Sequence, residues 1–413
     1  MPKTIATTPS WYWPEGVPRV LGVPALAVPV LAVDIAARRH PGALALAAAG
    51  TEVPAASLAS LVAAVAGHVR RSVPDGGAVA VSAGPSAAGL VAVLGALASG
   101  RAVLLAPPGD RGASGVLAAG TAGAGLADAD GMRVLADAGI DAVDVDAVAG
   151  APGGEGPGGP DGGTGAAPLT AGALGDARVC LAGASGPVWH SHRSVLAGAL
   201  ALAAFFGPQP GDRWLLVQSP CSWDGLVTAV AALAAGAAVV AAGPGAGATD
   251  AAERYQPTWI SASLDDAATT WSGGGGRRRR GQSATGRWLV TTVDGPFDPD
   301  ERRAVGGAAG AGVLTLFGMA ETGPVMAAHP SWYLDEPVGI PLPNMHLLPA
   351  DPDTGEPIDV MWELLDHAMV SVWSPSLAVS GFEPGPGRPA GRRFVTGALA
   401  ASDPNGMLYL VDG

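Results

Sequence analysis

Lysine and cysteine are scarce in this sequence. Its 413 residues include one lysine, Lys3, and two cysteines, Cys180 and Cys221. Because neither cysteine belongs to a CxxC pair, the sequence indicates no zinc site and no disulfide framework, and a reducing cytoplasm is the expected location. Residues 1–14 lack the basic and then apolar pattern of a signal peptide.

Positive charge is also in short supply. The formal net charge is −13, and charged residues make up 14% of the chain against 48% hydrophobic residues. A disordered chain has the opposite balance, and nucleic-acid binding needs a basic face, so both classes are excluded. The one dense basic run, Arg277–Arg280, lies among glycines and serines and is interpreted as a solvated loop.

Only the segment Leu226–Gly243 is apolar enough to call for a membrane test. Most of it is alanine, and Gly236 divides it into a helix-like part and a strand-like part. Because only a continuous apolar helix crosses a bilayer in this way, we predict a buried helix followed by a buried strand, and no membrane partner.

Two segments, 78–106 and 214–241, share one layout. Each contains a short apolar strand, a polar turn, a helical stretch, a glycine and a second apolar strand. The glycines, Gly100 and Gly236, stand where a helix C-cap is expected. Strands that alternate with helices in this way predict an α/β fold of two related α/β subdomains with mainly parallel sheets.

After Pro330 the chain consists of short segments broken by proline and glycine, and turn signals separate them. We predict a small C-terminal antiparallel β-barrel whose last strand is Met407–Val411. The expected division is a first α/β subdomain at residues 1–168, a second at 169–330 and the β-barrel at 331–413. A Gly/Pro-rich linker, 150–168, ends the first subdomain.

A glycine-rich segment, Ala182–Pro187, follows a predicted strand and precedes a long alanine-rich helix. Glycines in this position let backbone amides approach a phosphate, although for this segment taken alone a tight turn is the preferred explanation. His190 and His192 form an HxH pair, but no nearby residue completes a metal site, so a helix entry is the preferred interpretation.

The segment Leu316–Gly323 places an aromatic residue and a carboxylate among glycines after an apolar strand. Glu321 is suited to hold Mg²⁺, which prefers oxygen ligands, and Phe317 is suited to stack on a flat ring. An ordinary junction between a strand and a loop is the alternative.

Several segments match one family in the same order along the chain. They are Asp34–Pro41, Leu94–Val103, Leu181–Arg193, Pro220–Gly225, Phe317–Gly323, Glu336–Pro343 with Asp351–Glu356, and Thr396–Ala398 with Asn405–Asp412. In this order they resemble the AMP-binding (adenylate-forming) superfamily, which includes acyl-CoA synthetases, peptide-synthetase adenylation domains and luciferases. The resemblance covers nearly the whole chain.

The resemblance implies a two-step reaction with ATP and Mg²⁺. A carboxylate attacks the α-phosphate to give an acyl-adenylate and pyrophosphate, and a thiol or amine then takes the acyl group. The implied nucleotide-binding residues are Gly183, Ser185, Gly186, Phe317, Gly318, Glu321 and Thr396, with Glu321 also the implied metal ligand. The implied substrate-binding residues, on the carboxylic-acid side, are Trp223 and Gly295. No catalytic residue is assigned.

The sequence departs from the family pattern at several positions. The phosphate loop is shorter and lacks its lysine, and Ala398 replaces the aspartate that grips the ribose. Donors and cations stabilise phosphoryl chemistry, so these losses weaken the site. The chain stops at Asp412–Gly413, where the family hinge begins, and we expect the family's C-terminal domain, with its adenylation lysine, to be absent.

Three functions remain open at this stage. The chain is a weak ligase, or one completed by a separate C-terminal domain or carrier protein. Alternatively, it is an inactive pseudoenzyme that serves as a ligand-binding or scaffolding subunit. A third possibility is that the fold carries a different reaction, since a fold does not fix a function.

Overall fold

The computed structural model describes residues 13–149, 176, 178–272, 287–332, 338–358, 367–380, 393–403 and 407–412. The predicted linker at 150–168, the Arg277–Arg280 loop and Lys3 lie outside these ranges. The described residues form three sheets with helices packed on them, which confirms the predicted α/β fold with mainly parallel sheets and a small antiparallel unit.

The first sheet has six strands in the order β6-β5-β3-β4-β7-β8. All neighbours in it are parallel except β7 and β8, which are antiparallel. Its strands are β3 (Ala78–Ser82), β4 (Ala102–Leu105), β5 (Ala122–Ala127), β6 (Ala142–Asp144), β7 (Val179–Gly183) and β8 (Gly186–His190). The helices that follow its parallel strands are α3 (Ala87–Ala98), α4 (Ala113–Ala118), α5 (Gly131–Asp137) and α6 (Val145–Ala149).

The second sheet has nine strands in the order β15-β14-β13-β12-β11-β9-β10-β1-β2. The strands from β13 to β1 are parallel, and antiparallel strands cover both edges. They are β1 (Leu44–Ala48), β2 (Thr51–Pro54), β9 (Arg213–Leu216), β10 (Ala238–Ala241), β11 (Trp259–Ser263), β12 (Trp288–Val293), β13 (Gly312–Met319), β14 (Gly323–Ala327) and β15 (Ile340–Pro341). Its helices are α7 (His192–Phe206), α8 (Trp223–Ala234), α9 (Ala246–Tyr255), α10 (Leu264–Ser272) and α11 (Pro299–Ala309).

The small antiparallel unit that the sequence predicts is a four-stranded sheet in the described residues, in the order β16-β17-β18-β19. Its strands are β16 (His346–Ala350), β17 (Ala368–Trp373), β18 (Arg393–Ser402) and β19 (Leu408–Val411). The segment after β17 reaches back to the other sheets, since the amide of Ala378 donates to the carbonyl of Glu321 and that of Val379 to the carbonyl of Trp189.

The two sequence segments with one layout form matching βαβ units, β3-α3-β4 and β9-α8-β10. Both helices begin at a serine whose hydroxyl accepts the amide of a glycine three residues on, Ser86 from Gly89 at 3.0 Å and Ser222 from Gly225 at 3.2 Å. Such N-caps satisfy an amide that has no partner within the helix. The predicted helix and strand within 226–243 are therefore α8 and β10.

Helix α2 (Ala55–Ser72) shows how the alanine-rich sequence still builds a core. Its buried residues Leu58, Val62, Val65 and Val69 recur at intervals of three and four and form one apolar face, which packs on α3. A side chain at Gly95 of α3 would lie 2.5 Å from Val65, so glycine permits this close approach. No helix in the described ranges is long and apolar enough to cross a membrane.

The sheets do not divide along the chain at residue 168. The first sheet includes β7 and β8, which come after that point, and the second includes β1 and β2, which come well before it. A short helical segment before β1, α1 (Ile35–Arg39), follows a π-helical turn at Val30–Asp34 that packs on α8. The subdomain boundaries that we expect from the sequence remain predictions, and each sheet contains strands from across the first of them.

The tightest glycine position gives a prediction about the fold. A Cβ at Gly131, the first residue of α5, would lie 1.7 Å from the carbonyl oxygen of Ser82 at the end of β3. We expect Gly131→Ala to lower the free energy of unfolding in urea by about 1–3 kcal/mol, because the helix must move away from the strand.

Gly247→Ala in α9 is the matched control. Its Cβ meets no atom within 4 Å, so this variant should gain about 0.4–1 kcal/mol from the less flexible unfolded chain. Equal unfolding midpoints for the two variants would contradict the packing described for α5.

Candidate functional site

The glycine-rich segment is a β-hairpin, with Ala184 and Ser185 as the turn between β7 and β8. The alanine-rich helix expected after this segment is α7, which begins at His192, and β8 lies between the turn and that helix. A side chain at Gly183 would lie 2.6 Å from Glu321 Oε1 and 2.8 Å from the carbonyl of Gly186. Glycine is therefore required where this hairpin, the phosphate hairpin (182–187), meets Glu321.

The segment around Glu321 is a second hairpin. Strand β13 continues through Phe317 and Gly318 to Met319, and β14 returns antiparallel to it. Trp223, at the start of α8, packs directly on this hairpin. Its indole ring comes so close to Gly318 that a Cβ there would lie 2.7 Å from it. Residues Phe317–Gly323 thus extend across the end of one strand, a tight turn and the start of the returning strand.

Glu321 joins the two hairpins. Its side chain is 2% exposed, and Oε1 accepts the amide of Ala184 at 2.7 Å. The other carboxylate oxygen, Oε2, is buried and makes no hydrogen bond. Since an unpaired buried carboxylate oxygen is costly, this atom is the best-placed acceptor in the hairpin region for a ligand or ion.

His190 fixes the turn before Glu321. Its Nε2 lies 2.5 Å from the carbonyl oxygen of Ala320, which can only accept, so Nε2 carries the proton. Its Nδ1 lies 3.2 Å from Ser194 Oγ. Burial lowers the pKa of His190 to about 4, against the opposing effect of the bond to Ala320. The residue is therefore neutral near pH 7.

The HxH pair does not converge on one point. His192 Nδ1 accepts the amide of Val28 at 3.2 Å, whereas His190 faces Ala320. Burial is the main reason that the pKa of His192 is also lowered to about 4. Within the described ranges no group of three or more His, Cys, Asp or Glu is placed to hold a metal. The helix-entry interpretation of this pair is favoured by these contacts.

A cleft of about 920 Å³ opens beside the two hairpins. Its walls come from the phosphate hairpin, the loop before α4, the start of α8, and the ends of β11, β12 and β13. These are carboxyl ends of parallel strands and the loops after them, where α/β proteins commonly bind ligands. We call this the main cleft; a second, adjoining cleft of about 600 Å³ shares Ser222, Asp224 and Ser263 with it.

The charged lining of the main cleft is mostly acidic. Among the described residues its carboxylates are Asp110, Asp224, Asp265, Asp294 and Glu321, and its one arginine is Arg111. A cleft with this lining favours a ligand that carries positive charge, and disfavours a bare polyphosphate unless cations accompany it.

Asp224 is the most firmly held of these carboxylates. Oδ1 accepts the hydroxyl of Ser222 at 2.5 Å and the amide of Gly225 at 2.9 Å, while Oδ2 accepts Gln218 Nε2 at 3.0 Å and Thr292 Oγ1 at 3.2 Å. Ser261 Oγ in turn donates to Gln218 Oε1 at 2.7 Å. Burial raises the pKa of the Asp224 carboxyl, against the hydrogen bonds from Ser222, Gly225 and Thr292, which lower it.

The structure brings together only part of the predicted site. The main cleft is lined by Gly183, Gly186, Gly318, Glu321 and Trp223. Those five residues come from separate stretches of chain, which the two hairpins and α8 hold together.

The other predicted residues lie elsewhere. Ser185 is exposed at the turn of the phosphate hairpin, and Gly295 follows the cleft residue Asp294. Thr396 lies in β18, where its hydroxyl donates to the carbonyl of Val370 at 2.8 Å. Phe317 is fully buried in the core, so stacking on a nucleotide remains a prediction that requires its ring to be uncovered.

Sequence reasoning missed Asp224, Gln218 and Arg111. Asp224 stands beside Trp223 at the start of an apolar helix, and a lone carboxylate in that position was an available signal. Gln218 and Arg111 carry no local signal, because only the tertiary fold brings Gln218 to the second cleft and Arg111 to the main cleft. The two cysteines stay unreactive, since burial raises the pKa of both thiols to about 12.

Comparison with known proteins agrees with this architecture. The family model described as AMP-binding enzyme matches residues 183–361, which include all but the first residue of the phosphate hairpin, together with α8 and the Glu321 hairpin. No curated protein matches the sequence. Residues 183–361 of this chain are therefore similar to the AMP-binding enzyme family, and the fold of the described residues agrees with that similarity.

Solved structures share the fold at low sequence identity. The nonribosomal peptide synthetase FmoA3 with alpha-methyl-L-serine-AMP bound superposes with a TM-score of 0.75 at 21% identity, over 97% of this chain and 46% of that one. ATP-bound MatB from Rhodopseudomonas palustris gives 0.73 at 19% identity, over 93% and 78%. VinN with L-aspartate gives 0.76 at 18% identity, over 94% and 98%. The chain thus spans about half of the peptide synthetase chain and nearly all of VinN.

The two buried histidines predict a loss of stability in mild acid. In the unfolded chain a histidine binds a proton below about pH 6.5, whereas His190 and His192 stay neutral in the fold down to about pH 4. Unfolding then takes up protons, so the free energy of unfolding should fall as pH falls from 6.5 to 4, by at most about 1.4 kcal/mol per pH unit for each histidine.

His190→Gln tests the contribution of one of them, because glutamine keeps a neutral donor for Ala320. The pH slope of urea unfolding between pH 6.5 and 4 should become shallower by about one proton. His40→Gln, which removes an exposed histidine, is the control and should keep the original slope. A His190→Gln slope identical to that of the unaltered protein would refute the neutral buried state. The raised pKa of Asp224 acts in the opposite direction, but equally in all three proteins.

Proposed function

We propose that the chain is an acid ligase of the adenylate-forming type, similar to acyl-CoA synthetases, that binds a carboxylic acid but forms the adenylate slowly on its own. The observation that carries this proposal is the main cleft, which joins the phosphate hairpin to buried Asp224 while its described lining offers one arginine against several carboxylates. The cleft provides a scaffold for the reaction, but it contains little of the positive charge that would stabilise phosphoryl transfer.

ATP would lie with its phosphates toward the phosphate hairpin. Gly183 and Gly186 leave the backbone uncovered there, but the amide of Ala184 is already used by Glu321 Oε1. Mg²⁺ fits this site through Glu321 Oε2, since Mg²⁺ is commonly held by one or two carboxylates together with substrate phosphates and water. When bound, the ion would neutralise part of the triphosphate charge.

The acid would lie on the side of Trp223 and Asp224, and we propose that it carries an amino group. Asp224 is a buried carboxylate on the wall of both clefts, held in place by four donors, and an ammonium group is its natural counterpart. This agrees with the ligands named for two similar structures, an alpha-methyl-L-serine adenylate and L-aspartate. The carboxylate of the acid would attack the α-phosphorus as pyrophosphate leaves.

A partner would complete the reaction. The likeness to a peptide synthetase suggests a carrier protein as the acceptor, and a separately encoded C-terminal domain is the second candidate. The expected location is the cytoplasm. The alternative function is a pseudoenzyme that binds the acid as a scaffolding subunit, and the acidic lining of the main cleft favours it.

Pyrophosphate release distinguishes the two functions. Purified chain is given ATP, Mg²⁺ and a panel of amino acids, with and without an added C-terminal domain from a similar ligase. We expect slow release that depends on the acid and rises when the domain is added. Thermal stabilisation by an acid, with no release under either condition, would favour the pseudoenzyme. If no acid stabilises the chain and none gives pyrophosphate release, the result contradicts both functions.

Asp224→Asn tests the class of acid. Each amino acid is paired with the acid that lacks its amino group, for example L-serine with 3-hydroxypropionate. The variant should bind the amino acid at least about tenfold more weakly, because a charge-assisted hydrogen bond contributes roughly 1.5–3 kcal/mol. Binding of the partner acid should change little.

Asp265→Asn is the matched control, since it removes a carboxylate from the same cleft at a position without that set of buried donors. Titration calorimetry measures both variants. Equal losses in the two, or equal losses for both acids of a pair, would show that Asp224 does not recognise the amino group.

A further inference from the structure

The phosphate side of the main cleft needs positive charge, and the structure offers it from one place. The phosphate hairpin contains no lysine or arginine, and the only lysine in the sequence is Lys3. Among the described residues that line the main cleft, Arg111 is the only lysine or arginine. It comes from the loop between β4 and α4.

The loop that carries Arg111 lies directly against the phosphate hairpin. A Cβ at Gly112 would lie 2.7 Å from the Cβ of Ala182 in the hairpin, so only glycine allows this approach. The cleft lining then continues from Arg111 through Gly183, Ala184 and Gly186. Arg111 therefore stands beside the place where the hairpin would meet phosphates.

The Arg111 side chain is also available to bind a ligand, whereas three other arginines are engaged in structural contacts. Arg101, Arg178 and Arg302 each donate to backbone carbonyls, which explains them as structural residues. Arg111 is exposed and makes no hydrogen bond or ion pair with any residue in the described ranges. The neighbouring carboxylate, Asp110, accepts the amide of Gly112 at 2.6 Å.

We infer that Arg111 is the phosphate-binding cation of the main cleft, supplied by the loop that packs on the phosphate hairpin. A guanidinium presents a planar set of donors that matches two phosphate oxygens and remains charged at any physiological pH. The inference rests on the proposed function, because it takes the triphosphate of a nucleotide as the ligand. No bond is made or broken by Arg111, which binds and orients phosphate oxygens.

Calorimetric titration with Mg·ATP, and separately with adenosine, tests this role. Arg111→Ala should bind Mg·ATP at least about tenfold more weakly, as expected for the loss of a charge-assisted contact. Adenosine has no phosphate and should bind as it does to the unaltered protein. Arg111→Lys keeps the charge and should recover part of the loss.

Arg39→Ala is the control, since it removes an exposed arginine at the end of α1, outside the cleft. It should bind Mg·ATP normally. The inference is overturned if Arg111→Ala binds Mg·ATP like the unaltered protein, if adenosine binding falls to the same extent, or if the unaltered protein binds no Mg·ATP. A failure of the proposed function gives a different result: no acid stabilises the chain or supports pyrophosphate release.

Discussion

The buried contact between Glu321 and the amide of Ala184 is the interaction on which the site depends. It holds the phosphate hairpin against the hairpin of β13 and β14, and it is possible only because Gly183 has no side chain. His190 supports the same turn through the carbonyl of Ala320, and the segment after β17 supports it through Ala378. Three separate parts of the chain therefore converge on Glu321, and the cleft takes its shape from them.

The electrostatics of the main cleft set the balance between binding and catalysis. A carboxylate-rich wall stabilises an ammonium group in a ligand, but it opposes the build-up of negative charge on transferring phosphates. In the proposed function, Arg111 and Mg²⁺ would supply positive charge that offsets this effect near the phosphate hairpin. The same lining is consistent with both parts of the proposed function, an amino-bearing acid as ligand and a slow first step.

Much of the architecture could be predicted from local sequence. The βαβ units were visible as apolar strands, polar turns, helical stretches and terminal glycines, and Gly100 and Gly236 do adopt positive φ, +76° and +80°. The candidate site was predicted less completely. Gly183 and Glu321 were found through their motifs, whereas Phe317 is buried and Thr396 bonds within its own sheet. A motif fixes which residues are present, but the direction of a side chain depends on what packs around it.

Local sequence, by itself, determined the strands, helices, caps and acidic character of this protein, because each depends on residues close together along the chain. Only the tertiary structure decided that β1 and β2 extend the second sheet and that β7 and β8 complete the first. It also decided that Arg111, Asp224 and Glu321 line one cleft. These residues are far apart in sequence, and they meet because parallel strands of two sheets end at the same opening.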